Sequence, residues 1–339
     1  MAKRTIIFRA DGGPTIGMGH FIRTLALAEM LNDDFYCIYA TQSPSDYQIN
    51  EIEKVCHERI DLPADETHFD IFLNLLTGDE IVVLDNYYFT TEYQRDIKAK
   101  GCKLVCIDDI HDKHFVADLI INHAEGTSKS QYSAEKHTQF CLGYQYVLLR
   151  KDYLIKVSNE TFKQYACLVM MGGSDPFNLT AKIISMIEPL QFSLPIAIVI
   201  GADYKNDHLF QPFDNIELFK GIESSKIYQL MKEAQIGIFP ASTVAIEACA
   251  ARLPFICGYF VDNQKEIYKG IEKNNLAICI GNYLKVVPNE LMNAFEQLNH
   301  KSIVEKIVTK QKTELDKKSK KRFIKTFNNL WKLELEKPQ

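Results

Sequence analysis

The sequence predicts an α/β fold of two doubly wound domains, and three observations predict it. Short apolar runs alternate with longer amphipathic segments, the pattern of strands and helices taken in turn. That pattern restarts near residue 165, after a polar and weakly periodic stretch at 149–164. The chain has 339 residues, 46% of them hydrophobic, too many for one comfortable core and enough for two ordinary domains.

The elements follow in order. A strand is expected over 5–8 and a helix over 21–31, then strands over 36–40, 81–85, 104–108 and 119–122. Several close on a polar residue at their C-terminal edge: Arg9, Asp85, Asp108 and Asn122. In the second half a strand over 167–171 runs into Gly172-Gly173 and a helix over 178–187. Further strands are expected over 196–201, 236–239 and 254–257, and a helix over 243–251. Strand–helix alternation implies parallel sheets covered by helices. The segment 288–333 reads as helices. The expected organisation is a Rossmann-like domain at 1–155, a second at 156–287 and a helical extension at 288–339. The two domains are expected to face a cleft, with ligands at the carboxyl ends of strands.

Composition narrows the function. A net charge of −5 and a pI of about 6.0 argue against broad attraction to nucleic acid. The nine cysteines are scattered and form no Cys-x-x-Cys pair, so they read as buried free thiols in a reducing compartment. No apolar run approaches the ~18 residues of a membrane span. The apolar piece at 5–8 is too short for a signal peptide, and a cytoplasmic protein is expected. The basic run Lys317, Lys318, Lys320, Lys321 and Arg322 reads as a solvated helix face.

The most informative stretch runs from Phe8 to His20, with Arg23 just beyond. Here a strand enters a loop carrying Gly12, Gly13, Gly17 and Gly19, and a helix then begins. Glycine permits close backbone approach, and a helix N-terminus favours an anion. A nicotinamide fingerprint would place a glycine at Ile22 and an acidic residue at Thr41, and neither is present. His20 at the helix start is suited to accept a proton, and equally to cap or pack. Asp85 and Tyr87 lie just past a strand. Asp85 is suited to orienting a water or a sugar hydroxyl, Tyr87 to stacking or hydrogen bonding, and both also fit a loop cap. Asp108 and Asp109 read as strand-end residues partnered across the sheet edge. The nearby His111 and His114 match no common zinc spacing, so no metal is expected. In the second half, Gly172-Gly173-Ser174-Asp175 is a strand, a glycine turn and a helix start, a phosphate-binding pattern. Ser242 and Thr243 would cap a helix and offer hydroxyls to a diphosphate. Glu247 lies one turn later, placed for two ribose hydroxyls or for the helix dipole.

These motifs together resemble a family. Arg9-x-Asp11, Ile16-Gly-x-Gly-His20-x-x-Arg23, Asp85-x-Tyr87, Asp108-Asp109, Leu148-Leu149-Arg150, Gly172-Gly173-Ser174-Asp175, Ala241-Ser242-Thr243 with Glu247, and Asn263-Gln264 occur in that order. They look like the UDP-2,4-diacetamido-2,4,6-trideoxy-β-L-altropyranose hydrolases of the pseudaminic acid pathway, relatives of MurG with the GT-B architecture. The resemblance covers about residues 5–285 and departs at Phe239-Pro240-Ala241-Ser242-Thr243, where many members carry a Gly-Gly-Ser-Thr-type loop. It implies that the C-terminal domain holds UDP through Gly172, Gly173, Ser174, Asp175, Ser242, Thr243, Glu247 and Gln264. The sugar then points at His20, the base that activates water. Arg9, Asp11, Gly17, Gly19, Arg23, Asp85, Tyr87, Asp108, Asp109, Arg150 and Asn263 would surround it. The implied reaction is metal-independent and cofactor-free, with attack at the anomeric carbon and inversion. A GT-B glycosyltransferase, a nucleotide-sugar 2-epimerase and a non-catalytic nucleotide-sugar sensor are the competing readings.

Overall fold

The computed structural model describes residues 3–13, 16–155, 161–202 and 204–332. Residues 156–160, where the expected domain boundary falls, and 333–339 of the expected tail lie outside the described residues. The chain divides into two compact units, Met1–Lys151 with Lys318–Gln339, and Asp152–Lys317.

The first unit runs β1 (Thr5–Ala10), α1 (Gly19–Leu31), β2 (Tyr36–Gln42), α2 (Asp46–Val55), β3 (Glu58–Leu62), α3 (Thr67–Leu75), β4 (Ile81–Asp85), α4 (Thr91–Ala99), β5 (Lys103–Ile107), β6 (His114–Phe115), β7 (Leu119–Asn122), β8 (Ser133–Ala134) and β9 (Gln139–Leu142). Seven strands form one parallel sheet in the order β3-β2-β1-β4-β5-β7-β9. Strands covered on both faces read as unbroken apolar runs, and β4, Ile-Val-Val-Leu-Asp, is buried throughout. The chain winds from β1 outward to β3 and resumes on the other side of β1 with β4. The topological switch point therefore lies between β1 and β4, where Ala10 pairs with Asp85. Helix α1 is rich in Ala and Leu, strong helix formers, and is buried at every residue but Gly19 and Ile22.

A short helix, α5 (Lys151–Leu154), leads into the second unit. There follow β10 (Tyr165–Val169), α6 (Leu179–Ile187), β11 (Ile196–Ile200), β12 (Ile216–Lys220), α7 (Ser224–Glu233), β13 (Ala234–Pro240), α8 (Thr243–Ala251), β14 (Phe255–Tyr259), α9 (Lys265–Lys273), β15 (Ile278–Asn282), α10 (Pro288–Asn299), α11 (Lys301–Glu314) and α12 (Ser319–Lys332). Six parallel strands are ordered β12-β11-β10-β13-β14-β15, so the switch point lies between β10 and β13.

The helices expected as one extension are divided between the units. Leu291, Phe295 and Leu298 of α10 and Ile307 of α11 join the core of the second unit. The Gln311 amide of α11 donates to the carbonyls of Leu253 and Leu276 at 3.0 and 2.9 Å. Helix α12 returns to the first unit instead. Its Phe323, Phe327 and Leu330 recur at i, i+4 and i+7, the spacing of one helix face, and all three are buried. The Phe327 ring lies 6.3 Å from that of Phe35. The basic run is partly a docking contact: Lys320 pairs with Asp33 at 2.7 Å, and Arg322 donates to the Gln145 carbonyl at 3.1 Å. All nine cysteines are free thiols. Among the described residues no helix is long and apolar enough to cross a membrane.

Candidate active site

The loops that leave β1 and β4 meet at the switch point of the first unit. In the loop after β1, Gly13 and Gly17 form an isolated antiparallel bridge, with Gly17 N–H donating to the Gly13 carbonyl at 2.8 Å. Gly17 has φ +78°, which an L side chain rarely adopts, and a Cβ on Gly12 would come 2.8 Å from Phe21 Cβ. The folded-back loop delivers Gly19 and His20 to the first turn of α1. The Gln48 amide, on the far side of the Ser45 capping box of α2, holds this loop by donating to the Gly12 carbonyl at 3.2 Å.

His20, Arg23 and Thr24 share one face of α1 at i, i+3 and i+4, and all three meet Asp85 at the end of β4. Asp85 is 0% exposed and His20 5%. The carboxylate contacts His20 Nδ1 at 2.7 Å. Arg23 donates to both its oxygens, Nε to Oδ2 and Nη2 to Oδ1, each at 2.6 Å. The Thr24 hydroxyl donates to Oδ2 at 2.9 Å. Burial alone would raise the Asp85 pKa, but the Arg23 charge, with the hydrogen bonds from Arg23 and His20, outweighs it and holds the group down at about 2. An ionised carboxylate only accepts, so Asp85 fixes the proton on Nδ1 and leaves the lone pair on Nε2. The Tyr87 ring stands edge-on to the imidazole at 4.5 Å between centroids.

Arg23 reaches one residue further, donating from Nη1 to Asp109 Oδ2 at 2.6 Å. Asp109 and Asp108 follow β5 at the same carboxyl edge. The Asp108 carboxylate accepts from His111 N–H at 3.0 Å, and burial raises its pKa. His123, just past β7, is driven to about 4, by burial first and then by the Arg23 charge. His114 turns away to Ser133 and Glu135. Among the described residues no three His, Cys, Asp or Glu side chains are grouped to hold a metal ion.

Three residues expected at the substrate are taken up inside the fold. Arg9 is 0% exposed. Its guanidinium donates to Asp11 at 2.6 Å, contacts His68 Nδ1 at 3.1 Å and lies over the Phe89 ring. Asp11 accepts in addition from the Thr41 hydroxyl, Gln42 N–H and the Tyr88 hydroxyl. Because Asp11 N–H donates to Asn86 Oδ1 at 2.8 Å, this buried network ties the β1 loop to the β4 loop. Arg150 spans Glu29 of α1 and Glu51 of α2 at 2.9 Å each, remote from His20 in its bonding. Arg9 and Arg150 were read from their type, whereas Arg9 is taken by Asp11 two residues on and Arg150 by Glu29 and Glu51, 121 and 99 positions away. Asn86, Tyr88, Thr24, Thr41, His68, Glu29 and Glu51 are side chains of these networks that sequence reasoning missed. Thr24 alone carried a signal, one turn from His20.

At the switch point of the second unit, the loop after β10 carries Gly172 with φ +94° and exposes Ser174. Asp175 is buried and engaged by the protein's own backbone. Its carboxylate accepts from Leu179 and Thr180 N–H, at 2.8 Å each, and so caps α6 with the protein's own charge. Helix α8 is built differently. Ser242 occupies its N-cap without a capping side-chain bond, and no acidic residue lies in the first turn. Thr243 opens the helix, and Glu247 is buried one turn on. Asn263 is exposed, while Gln264 Oε1 accepts from Phe260 N–H at 2.9 Å and closes its own turn.

No protein-family model matches the chain. It is similar to UDP-2,4-diacetamido-2,4,6-trideoxy-β-L-altropyranose hydrolase of Campylobacter jejuni, 26% identical over 283 residues, which cover 80% of this chain and 98% of that protein. An uncharacterized protein of Methanocaldococcus jannaschii is 26% identical over 291 residues, 78% of this chain and 58% of that protein, so the match spans little more than half of that relative. A spore coat polysaccharide biosynthesis protein of Bacillus subtilis is 22% identical over 298 residues, 84% of this chain and 85% of that protein. Among solved structures, MurG of Acinetobacter baumannii aligns with a TM-score of 0.64 at 11% identity, covering 96% of this chain and 99% of that one. A UDP co-structure of Staphylococcus aureus MnaA aligns with a TM-score of 0.68 at 12% identity, covering 99% of both. The structural likenesses show the fold, two Rossmann-like domains of the GT-B architecture. The resemblance carried by the motifs extends to the sequence at large.

Proposed function

We propose that the chain is an enzyme acting on UDP-linked sugars. More narrowly, it hydrolyses a UDP-2,4-diacetamido-2,4,6-trideoxy sugar to UDP and free sugar, in nonulosonic (pseudaminic) acid biosynthesis. The similarity to the Campylobacter hydrolase supports the substrate class. The single observation that carries the chemistry is the 2.7 Å contact of His20 Nδ1 with a fully buried Asp85 at a topological switch point. It leaves Nε2 as a fixed proton acceptor, the first requirement of a base that activates water.

Asp85 itself cannot be a nucleophile, since Arg23, Thr24 and His20 occupy both its oxygens. The two-carboxylate, covalent route of retaining glycosidases is therefore disfavoured. With one base and no covalent intermediate, water attacks the anomeric carbon directly while the C–O bond to UDP breaks, and the configuration inverts. The electron pair of that bond leaves on the diphosphate, which spreads its charge and needs no acid. We assign UDP to the second unit. The first turn of α8 and the hydroxyls of Ser242 and Thr243 would meet the diphosphate, with Glu247 on the ribose. Tyr87, edge-on to the His20 ring, would contact the sugar. The reaction needs no metal, so activity is expected to persist in EDTA.

A GT-B glycosyltransferase is the second reading, favoured by the MurG likeness. Incubation with the UDP-sugar and no acceptor, in ¹⁸O-labelled water, separates the two. UDP release with label in the free sugar before mutarotation supports hydrolysis at carbon. Label in the UDP phosphate rejects the mechanism, and UDP release only on adding an acceptor favours the transferase.

A further inference from the structure

We propose that Arg23 and Asp109 form a charge lock behind His20 that sets the pH range in which it accepts a proton. This deepens the reading of His20 as the base and rests on it. Arg23 and Asp109 are positioning residues here: they act on substrate only through the imidazole.

The geometry carries the inference. Arg23 Nη2 lies 3.1 Å from His20 Nδ1 and 2.6 Å from the same Asp85 oxygen that the imidazole contacts. A proton already sits on Nδ1, so the guanidinium approaches the ring as a positive charge and not as a donor to it. Its effect is to oppose a second proton on the ring. Asp85 alone would do the reverse: an unopposed buried carboxylate would stabilise imidazolium and hold the base in its spent form. Asp109, at 2.6 Å from Nη1, offsets part of the guanidinium charge and steadies the fork on Asp85.

The other titratable groups at this end of the sheet come from four loops, and Asp108 among them feels the charges of Asp109 and Arg23. The Tyr87 ring comes from the β4 loop. Beyond β5, Asp108 is turned onto His111 N–H, and its pKa is raised by burial. Beyond β7, His123 is held neutral, partly by the same Arg23 charge. From the β1 loop, Asp11 is consumed by Arg9. The His20 imidazole meets one carboxylate, Asp85, and one guanidinium, Arg23, with Asp109 bound to the far arm of that guanidinium, and Arg23 and Asp109 can be removed separately.

The signs differ for the two partners, which makes the idea testable. Asp109→Asn removes a negative charge and should move the His20 titration to lower pH. Arg23→Gln removes a positive charge and should move it to higher pH, on the order of one unit for so close a group. Arg23→Lys keeps the charge and should stay near wild type. The measurement is an NMR titration of the full-length protein labelled in its histidine rings, with His20→Ala identifying the signal. The acid limb of kcat/KM for UDP release should move in the same directions. Shifts of equal sign in Asp109→Asn and Arg23→Gln, or none in either, overturn the lock. If Arg23→Gln does not fold, Asp109→Asn decides with Arg23→Lys as its control: a lowered titration supports the proposal, an unmoved or raised one rejects it. Turnover that survives in His20→Ala would sink the base reading, while the NMR shifts would still judge the lock.

Discussion

The two switch points of this chain share a topology and use it in opposite ways. In the first unit, polar side chains fill the crevice and neutralise one another: Asp85 takes Arg23, His20 and Thr24, and Asp11 takes Arg9. In the second, the side chains stand back. Asp175 plugs α6, whereas α8 begins without a capping side chain or an acidic first turn. Buried, charge-balanced side chains hold one reactive atom in a fixed orientation. Uncapped backbone N–H groups accept any anion of suitable shape. The proposed function divides labour along the same line, with chemistry on the first unit and nucleotide charge on the second.

Substitutions can break that division. The largest effect is expected for His20→Ala, a loss of ~10²–10⁴ in kcat with UDP affinity near wild type. A parallel loss of UDP binding in calorimetry would mean that the first unit also holds nucleotide. Asp85→Asn should follow with a loss of ~10² in kcat, because an amide does not enforce one tautomer. It also tests stability. The folded carboxylate is held at about 2, below the ~3.9 of an unfolded aspartate. Its contribution, ~2 kcal/mol, is thus complete above the unfolded value and is lost as pH falls through about 2. Chemical denaturation between pH 5 and 2 should show that acid dependence flattened in Asp85→Asn.

On the second unit, Glu247→Ala should weaken UDP binding by ~1–3 kcal/mol and change turnover of bound substrate less. Unchanged affinity would remove Glu247 from the nucleotide site. The smallest effect is expected for Asp175→Ala: a loss of ~1 kcal/mol in stability as a helix cap disappears, with UDP affinity held. A large drop in affinity there would return Asp175 to the nucleotide contacts and blur the contrast.

The fold was legible where strands are buried on both faces. Continuous apolar runs such as β4 and β10 carry their own signal. The strands that escaped notice are the four sheet edges, β3, β9, β12 and β15, and the two-residue β6 and β8. The sequences of β3 and β12, Glu-Arg-Ile-Asp-Leu and Ile-Glu-Leu-Phe-Lys, alternate weakly and carry charge. In the candidate site, His20 and Asp85 could be named from a glycine loop and a strand end. Their contact spans 65 positions and is invisible to local pattern. The same distance hid the partners of Arg150, which lie 121 and 99 positions away. Asp175 lies three residues before the N-cap Asn178, and only the fold turns its carboxylate onto the Leu179 and Thr180 amides.

The return of α12 to the first unit bears on how the chain matures as it leaves the ribosome. The second unit, 152–317, is contiguous and can close as soon as its own residues have emerged. The first unit begins earlier but finishes later. Until Phe323, Phe327 and Leu330 arrive, the side of α1 and Phe35 that they cover stays open to water. The usual order of synthesis, in which the N-terminal domain is completed first, is thereby reversed. A chain stalled before α12 would carry a finished second unit and an unfinished first one, with an apolar seam for chaperones to guard.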